Sequence, residues 1–159
     1  SYLGTGSDNS GQLRIYDKQG ETRSYLGDGY LQAYNQFGER TIFLGTGSNG
    51  GGYLRTYNFS GQESIYVGTG ADSSGQIRIY DNTGETGSFL GSGYFRTYNR
   101  FGKMTTFIGN ASDGGGYLRT NNKFETETAF LGTNNANEGL INLNDKFGQS
   151  FWIRLNKKN

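Results

Sequence analysis

Along most of this chain apolar and polar residues alternate one for one. Gln12-Leu13-Arg14-Ile15-Tyr16 and Tyr53-Leu54-Arg55-Thr56-Tyr57 are two such stretches. A period of two is the signature of a half-buried β-strand, because successive side chains point to opposite faces. Leu13 and Ile15 are expected to face inward, with Arg14 and Tyr16 outward. No stretch shows helical periodicity, and glycine interrupts the pattern throughout, so the fold class is all-β.

Each alternating stretch stops at an Asx residue followed three positions later by glycine: Asp17 to Gly20, Asn35 to Gly38, Asn58 to Gly61, Asp81 to Gly84, Asn99 to Gly102 and Asp145 to Gly148. The Asx side chain caps backbone N–H groups, and glycine takes the positive φ that closes the turn. Gly20, Gly38, Gly61, Gly84, Gly102 and Gly148 are therefore structural turn residues. One unit departs, with Asn122 to Glu125, and its turn is expected to be strained or of another type. The units also share an opening of aromatic, aliphatic and glycine, from Tyr2-Leu3-Gly4 and Tyr25-Leu26-Gly27 through to Phe130-Leu131-Gly132.

These signals recur with a long period. Residues 1–64 align with 65–128 at 37 of 64 positions, and a partial third copy begins at Ala129. Each copy divides into units of 23, 18 and 23 residues, starting at Ser1, Ser24, Ile42, Ile65, Ser88 and Thr106, with a seventh at Ala129. Residues 1–148 thus form one repeat region. Residues 149–159 break the pattern with Phe151-Trp152-Ile153-Arg154-Leu155 and Lys157-Lys158, and read as a C-terminal cap. Repeats of this size stack because one unit cannot bury its apolar face alone, which implies an elongated object. Long and short units differ between their paired glycines, where Thr5 to Ser10 is replaced by Asp28 alone. A length change at a Gly, Ser, Asn and Asp cluster is expected of a loop projecting from the scaffold.

Two architectures satisfy this pattern. In the leading one each unit is a rung of an elongated β-helix or β-solenoid, with chains wound together as a homotrimer to thicken a thin core. In the alternative the Asx turn folds each strand back on the last, giving an antiparallel hairpin meander.

Composition narrows the function. Of 159 residues 32% are hydrophobic and 28 are glycine, yet 12 Tyr and 11 Phe recur in register, which predicts a narrow ordered core rather than disorder. Fifteen Lys and Arg balance 14 Asp and Glu, offering no general attraction to nucleic acid or to an anionic membrane. No apolar run is long enough to insert as a helix. The absence of cysteine and histidine removes disulfides, thiolate metal sites and the commonest general base. No cofactor is expected. The chain starts at Ser1 without methionine, as a processed product or a segment of something longer would.

The phrase Gly-(Tyr/Gln)-Leu-Arg-x-Tyr-(Asn/Asp)-x-x-Gly, followed by (Tyr/Phe)-Leu-Gly and a Gly-Ser-Asn loop, resembles the shaft repeats of trimeric viral and bacteriophage tail fibres. That resemblance spans about the whole chain. It implies a triple-stranded β-helix, a spacer role and a location outside the cell, at a cell surface or on a virion. The Tyr-Asn/Asp-x-x-Gly element is also similar to YD-type shell repeats, and the Tyr-x-Gly hairpins to MORN repeats.

The candidate site is a ladder. Arg14, Arg55, Arg78, Arg96 and Arg119 share one unit position, with Gln32 and Asn142, and Tyr16, Tyr34, Tyr57, Tyr80 and Tyr98 follow two residues later on the same face. An outward row of rings and guanidinium groups suits the apolar faces and hydroxyl rims of sugars. The same row also serves inter-chain or inter-rung stacking through cation–π contact. Gly4-x-Gly6-x-Asp8 and Gly68-x-Gly70-x-Asp72 echo calcium-binding glycine-Asp repeats, but Gly45-x-Gly47-x-Asn49 between them lacks the carboxylate, so a solvated loop is expected. The glycine-rich loops lead into strands rather than helix N-termini, which removes phosphate-loop logic. Asp17, Glu21, Asp81 and Glu85 recur in step with the repeat, whereas glycosidase chemistry needs one asymmetric pair. The expected function is a non-enzymatic structural fibre or filament protein that self-assembles. The alternative is a carbohydrate-binding module that uses the ladder for adhesion to a cell-surface glycan.

Overall fold

The computed structural model describes the chain except for Asp8, Asn49, Asn135 and residues 156–159, with backbone alone at 153–155. Lys157 and Lys158, and the Asp8 and Asn49 positions of the calcium-like pattern, thus lie outside the described residues. Fifteen strands are present: β1 (Tyr2–Thr5), β2 (Gly11–Tyr16), β3 (Thr22–Gly27), β4 (Tyr30–Tyr34), β5 (Arg40–Thr46), β6 (Gly52–Tyr57), β7 (Glu63–Thr69), β8 (Gly75–Tyr80), β9 (Thr86–Gly91), β10 (Tyr94–Tyr98), β11 (Met104–Asn110), β12 (Gly116–Asn121), β13 (Glu127–Thr133), β14 (Gly139–Asn144) and β15 (Ser150–Leu155). They fall into two compact units, Ser1–Gly84 and Glu85–Asn159. Within each unit strand order follows chain order and every pairing is antiparallel.

The fold is therefore all-β, and of the two architectures it takes the hairpin meander. The β-helix of stacked rungs is overturned. A rung needs the chain to continue in one sense, and the Asx turn reverses it. Asp17 shows how: its carboxylate Oδ1 accepts from the Gln19 and Glu21 backbone N–H groups at 2.9 Å each, while Gly20 N–H donates to the Asp17 carbonyl at 3.2 Å and Asp17 N–H to the Glu21 carbonyl at 3.0 Å. The next strand is thereby committed to run antiparallel.

Glycine at the fourth turn position is a conformational requirement. Gly84 sits at φ +86° with only Gln62 Nε2, at 4.0 Å, near where a side chain would start, so the constraint there is backbone geometry and not room. Replacing Gly84 with valine is expected to cost about 2 kcal/mol, because a β-branched residue is disfavoured in the left-handed region. Asn82→Ala in the same turn is expected to stay within about 0.5 kcal/mol. Urea unfolding of both variants checks the ranking, and equal tolerance would refute the turn assignment. The departing unit keeps the same turn: Glu125 takes φ 66°, as strained as the sequence implied. Its carboxylate is anchored by Lys103 Nζ at 3.0 Å and the Met104 N–H at 3.3 Å, and the Lys103 hydrogen bond leads in lowering its pKa.

The variable connections are not projecting loops. Gly70 N–H donates to the Ser74 carbonyl at 2.7 Å and Ser73 N–H to the Gly70 carbonyl at 3.0 Å, which reproduces the five-residue closure of the Asx turns at the other strand ends. Short units instead use a two-residue turn, with Asp28 at φ 51° and Gly29 at φ 77°, the primed geometry that matches strand twist. Removing residues thus changes the turn type and trims the hairpin.

Within each unit strands contact only their sequence neighbours, so among the described residues nothing lies across either face of the sheet. This reverses the expected sidedness. The two buried apolar residues among those described, Tyr25 at 9% and Phe107 at 5% exposure, lie on the arginine face. The aliphatic face is open, with Leu26 at 50%, Leu44 at 51% and Leu131 at 52%. A lone sheet buries only what its own side chains can cover, and long aromatic and arginine side chains cover more than leucine does. Residues 150–155 continue the meander, with β15 pairing β14 through Asn142↔Ile153. That places Ile153 at the register position held by Tyr25 opposite Arg14.

Candidate binding face

Pairing register assembles the face. Across the first unit one row reads Tyr2, Arg14, Tyr25, Gln32, Phe43, Arg55, Tyr66, Arg78, from β1 to β8. Across the second it reads Phe89, Arg96, Phe107, Arg119, Phe130, Asn142. Each arginine therefore has aromatic rings, not other arginines, as its cross-strand neighbours. Near the start of β4, β6, β10 and β12, Tyr30, Tyr53, Tyr94 and Tyr117 join the same face, each set opposite a glycine, as in Tyr53↔Gly68 and Tyr117↔Gly132.

The rings close into a stack. Tyr25, Tyr30, Phe43, Tyr53 and Tyr66 follow one another at centroid separations of 5.2, 5.4, 5.1 and 5.8 Å. Phe89, Tyr94, Phe107, Tyr117 and Phe130 do so at 5.2, 5.6, 4.7 and 5.4 Å. Guanidinium groups lie on these rings: Arg14 is 5.2 Å from Tyr25, Arg55 is 4.7 Å from Tyr53, and Arg96 is 4.2 Å from Tyr94. Arg119 approaches Phe107 at 5.9 Å. The Nε atoms of Arg96 and Arg119 are buried without a hydrogen-bond acceptor, so ring contact holds those groups in place.

The second row of the expected ladder behaves differently. Tyr34 donates its hydroxyl to Gln32 Oε1, and Tyr57 lies under the Arg40 guanidinium at 4.6 Å. Tyr98 is half-buried, while Tyr16 is more open at 36% exposure. Arg55 Nε faces Glu63 Oε2 at 3.4 Å. Burial opposes the Arg55 charge, but Glu63 and the Tyr57 hydroxyl more than offset it and raise the pKa. Arg78 donates to Gln76 Oε1 at 3.4 Å. Together Tyr53, Arg55, Glu63, Tyr66, Arg78 and Tyr80 line an open cleft of about 610 Å³, and a smaller one of about 450 Å³ lies between Arg14, Tyr25, Gln32 and Tyr34.

This arrangement offers hydroxyl, carboxylate and guanidinium edges to solvent, while much of the ring-face area is spent on neighbouring rings and cations. Among the described residues no three acidic, histidine or cysteine side chains converge on a metal-sized space. Asp72, the described carboxylate of the calcium-like pattern, caps its own loop by accepting from the Ser74 N–H at 3.1 Å and the Ser74 hydroxyl at 2.6 Å. No family model matches the sequence, and no curated protein matches it.

Sequence reasoning placed the arginines and the second-row tyrosines on one face but missed the ring stack. Parity could have found part of it, because Tyr53 precedes Arg55 by two residues just as Tyr57 follows by two. That Phe43 and Tyr66 join them depends on strand register, which the sequence alone left open.

Two phenols titrate high. The hydrogen bond from the Tyr25 hydroxyl to Asp28 Oδ2 at 2.7 Å leads in raising its pKa above the ordinary 10.0, followed by burial. Burial leads for Tyr80, with the Glu63 charge second. A pKa raised in the folded state contributes stability that is complete below the unfolded value and lost as pH rises through the folded one. Thermal stability is therefore expected to fall above about pH 10. Tyr25→Phe should flatten that fall, as measured by melting curves from pH 8 to 11. An unchanged slope would refute the contribution.

Proposed function

We propose that this chain is a structural, non-enzymatic protein that assembles with copies of itself into a fibre or filament, in the manner of the shaft repeats it resembles. The observation that carries this reading is the near absence of a core: across seven repeated hairpins, Tyr25 and Phe107 alone among the described apolar residues are buried. A sheet covered on neither side leaves apolar surface that assembly would remove from water. The repetition of one face chemistry in unit after unit also suits assembly better than catalysis, which needs a single asymmetric constellation. A homotrimer or filament of such chains, exposed outside the cell, on a cell surface or on a virion, is the setting that fits the resemblance.

Sedimentation velocity and native mass spectrometry at micromolar concentration test the reading. A discrete oligomer, or filaments visible by electron microscopy, is the expected result. A folded monomer at that concentration would overturn it.

A further inference from the structure

We infer that the aliphatic face of the sheet is the self-association surface and packs against the same face of another copy. This inference rests on the assembly reading above and names the surface that performs it.

In the first unit two rows cross the sheet on the side away from the arginines. One is Leu13, Leu26, Leu31, Leu44, Leu54, Val67 and Ile77, and the other is Ile15, Ser24, Ala33, Ile42, Thr56, Ile65 and Ile79. Neither row contains a charged residue. The second unit repeats the first row as Leu90, Phe95, Ile108, Leu118, Leu131 and Ile141, whereas its second row, Ser88, Thr97, Thr106, Thr120, Ala129 and Leu143, carries hydroxyls in four of six places. Flanking polar side chains are satisfied locally: Thr56 and Ser64 hydroxyls pair at 2.8 Å, Thr97 and Thr105 at 2.9 Å, and Thr120 and Thr128 at 3.1 Å. Arg23, which lies beside the first-unit rows, is turned to Asp17 and to the Asn35 and Gln36 carbonyls. The first-unit rows therefore present no charge, and Ser24 is their one hydroxyl besides the paired Thr56.

Area and repeat geometry select a copy of the chain as that occupant. Seven strands about 4.8 Å apart and two side-chain rows make a patch of roughly 35 by 14 Å, so face-to-face packing of two such units removes about 1,000 Å² from water. That reaches the size at which specific interfaces hold. An identical row spacing on both partners lets side chains interdigitate at the roughly 10 Å separation of stacked sheets. The opposite face lacks this property, since its charged and aromatic side chains are already engaged with one another.

Two measurements test the inference. On the wild-type chain, hydroxyl-radical footprinting should show Leu26, Leu44 and Val67 labelled at least 5-fold less in the associated state than after dilution, with the stacked tyrosines of the other face little changed. In Leu44→Arg/Val67→Arg, association should weaken at least 100-fold, while Gln32→Arg, on the other face, assembles normally. An associated wild type whose aliphatic face labels as freely as in the diluted chain, or an assembled double variant, would overturn the inference and leave the assembly reading standing. Protection that appears only when lipid vesicles or a second protein is added would overturn it by naming another occupant. A wild-type monomer would overturn both. If the double variant fails to fold, judged by loss of β-sheet circular dichroism, the wild-type footprint decides.

Discussion

Phe107→Ala is expected to destabilise the chain by about 3 to 5 kcal/mol, a loss comparable with the whole stability of a small domain. Phe107 is the most buried ring described, at 5% exposure. It sits between Tyr94 at 5.6 Å and Tyr117 at 4.7 Å, with Arg96 at 5.4 Å. Truncation removes two stacked partners and leaves a gap that the strand backbone cannot close. Its neighbour Ile108 points to the other face and is 46% exposed, so Ile108→Ala should cost only about 1 kcal/mol in the unassociated chain. Urea unfolding under dissociating conditions checks the pair. A larger loss at Ile108 than at Phe107 would show that the aliphatic face, and not the ring stack, holds the isolated sheet together.

Gly68→Val should cost about 3 kcal/mol, although a β-branched residue ordinarily suits a strand better than glycine does. A Cβ at Gly68 would stand 2.5 Å from Tyr53 Cβ, 2.9 Å from the Gly52 carbonyl oxygen and 2.9 Å from the Tyr66 hydroxyl. Two of those three obstacles belong to backbone or to the root of a side chain and cannot swing aside. Gly75 is the control. It lies in β8 with nothing within 4 Å of its would-be Cβ, so Gly75→Val should be neutral or gain up to about 1 kcal/mol by strand propensity. Melting temperatures of the two variants, compared under one buffer, test this directly. If both valines stabilise, the rings do not lie over the glycines.

These two outcomes bear on how the opening motif works. In Tyr66-Val67-Gly68 the ring folds along its own strand, and Tyr53 leans over the same glycine from the next strand. Glycine is there to admit rings. The aliphatic residue between them faces away, onto the surface assigned to association. One tripeptide thus supplies the internal stack on one side and an open aliphatic position on the other.

The strands, the turns and their period were legible in the chain itself. Alternation of apolar and polar residues is a local property of the extended backbone, and Asx-x-x-Gly closes a turn through bonds made within five residues, so both survive without tertiary information. Even the strained turn at Glu125 could be read, since only the residue type departs. The choice of partner positions and the burial on each face could not. Register decided that Phe43 would meet Tyr53 and Arg55 rather than Leu54, because a shift of one residue exchanges the faces of a strand. The absence of any second layer among the described residues then decided that the leucines would be the exposed side. A sequence states which residues share a face, but only the packed chain shows whether anything stands opposite to bury it.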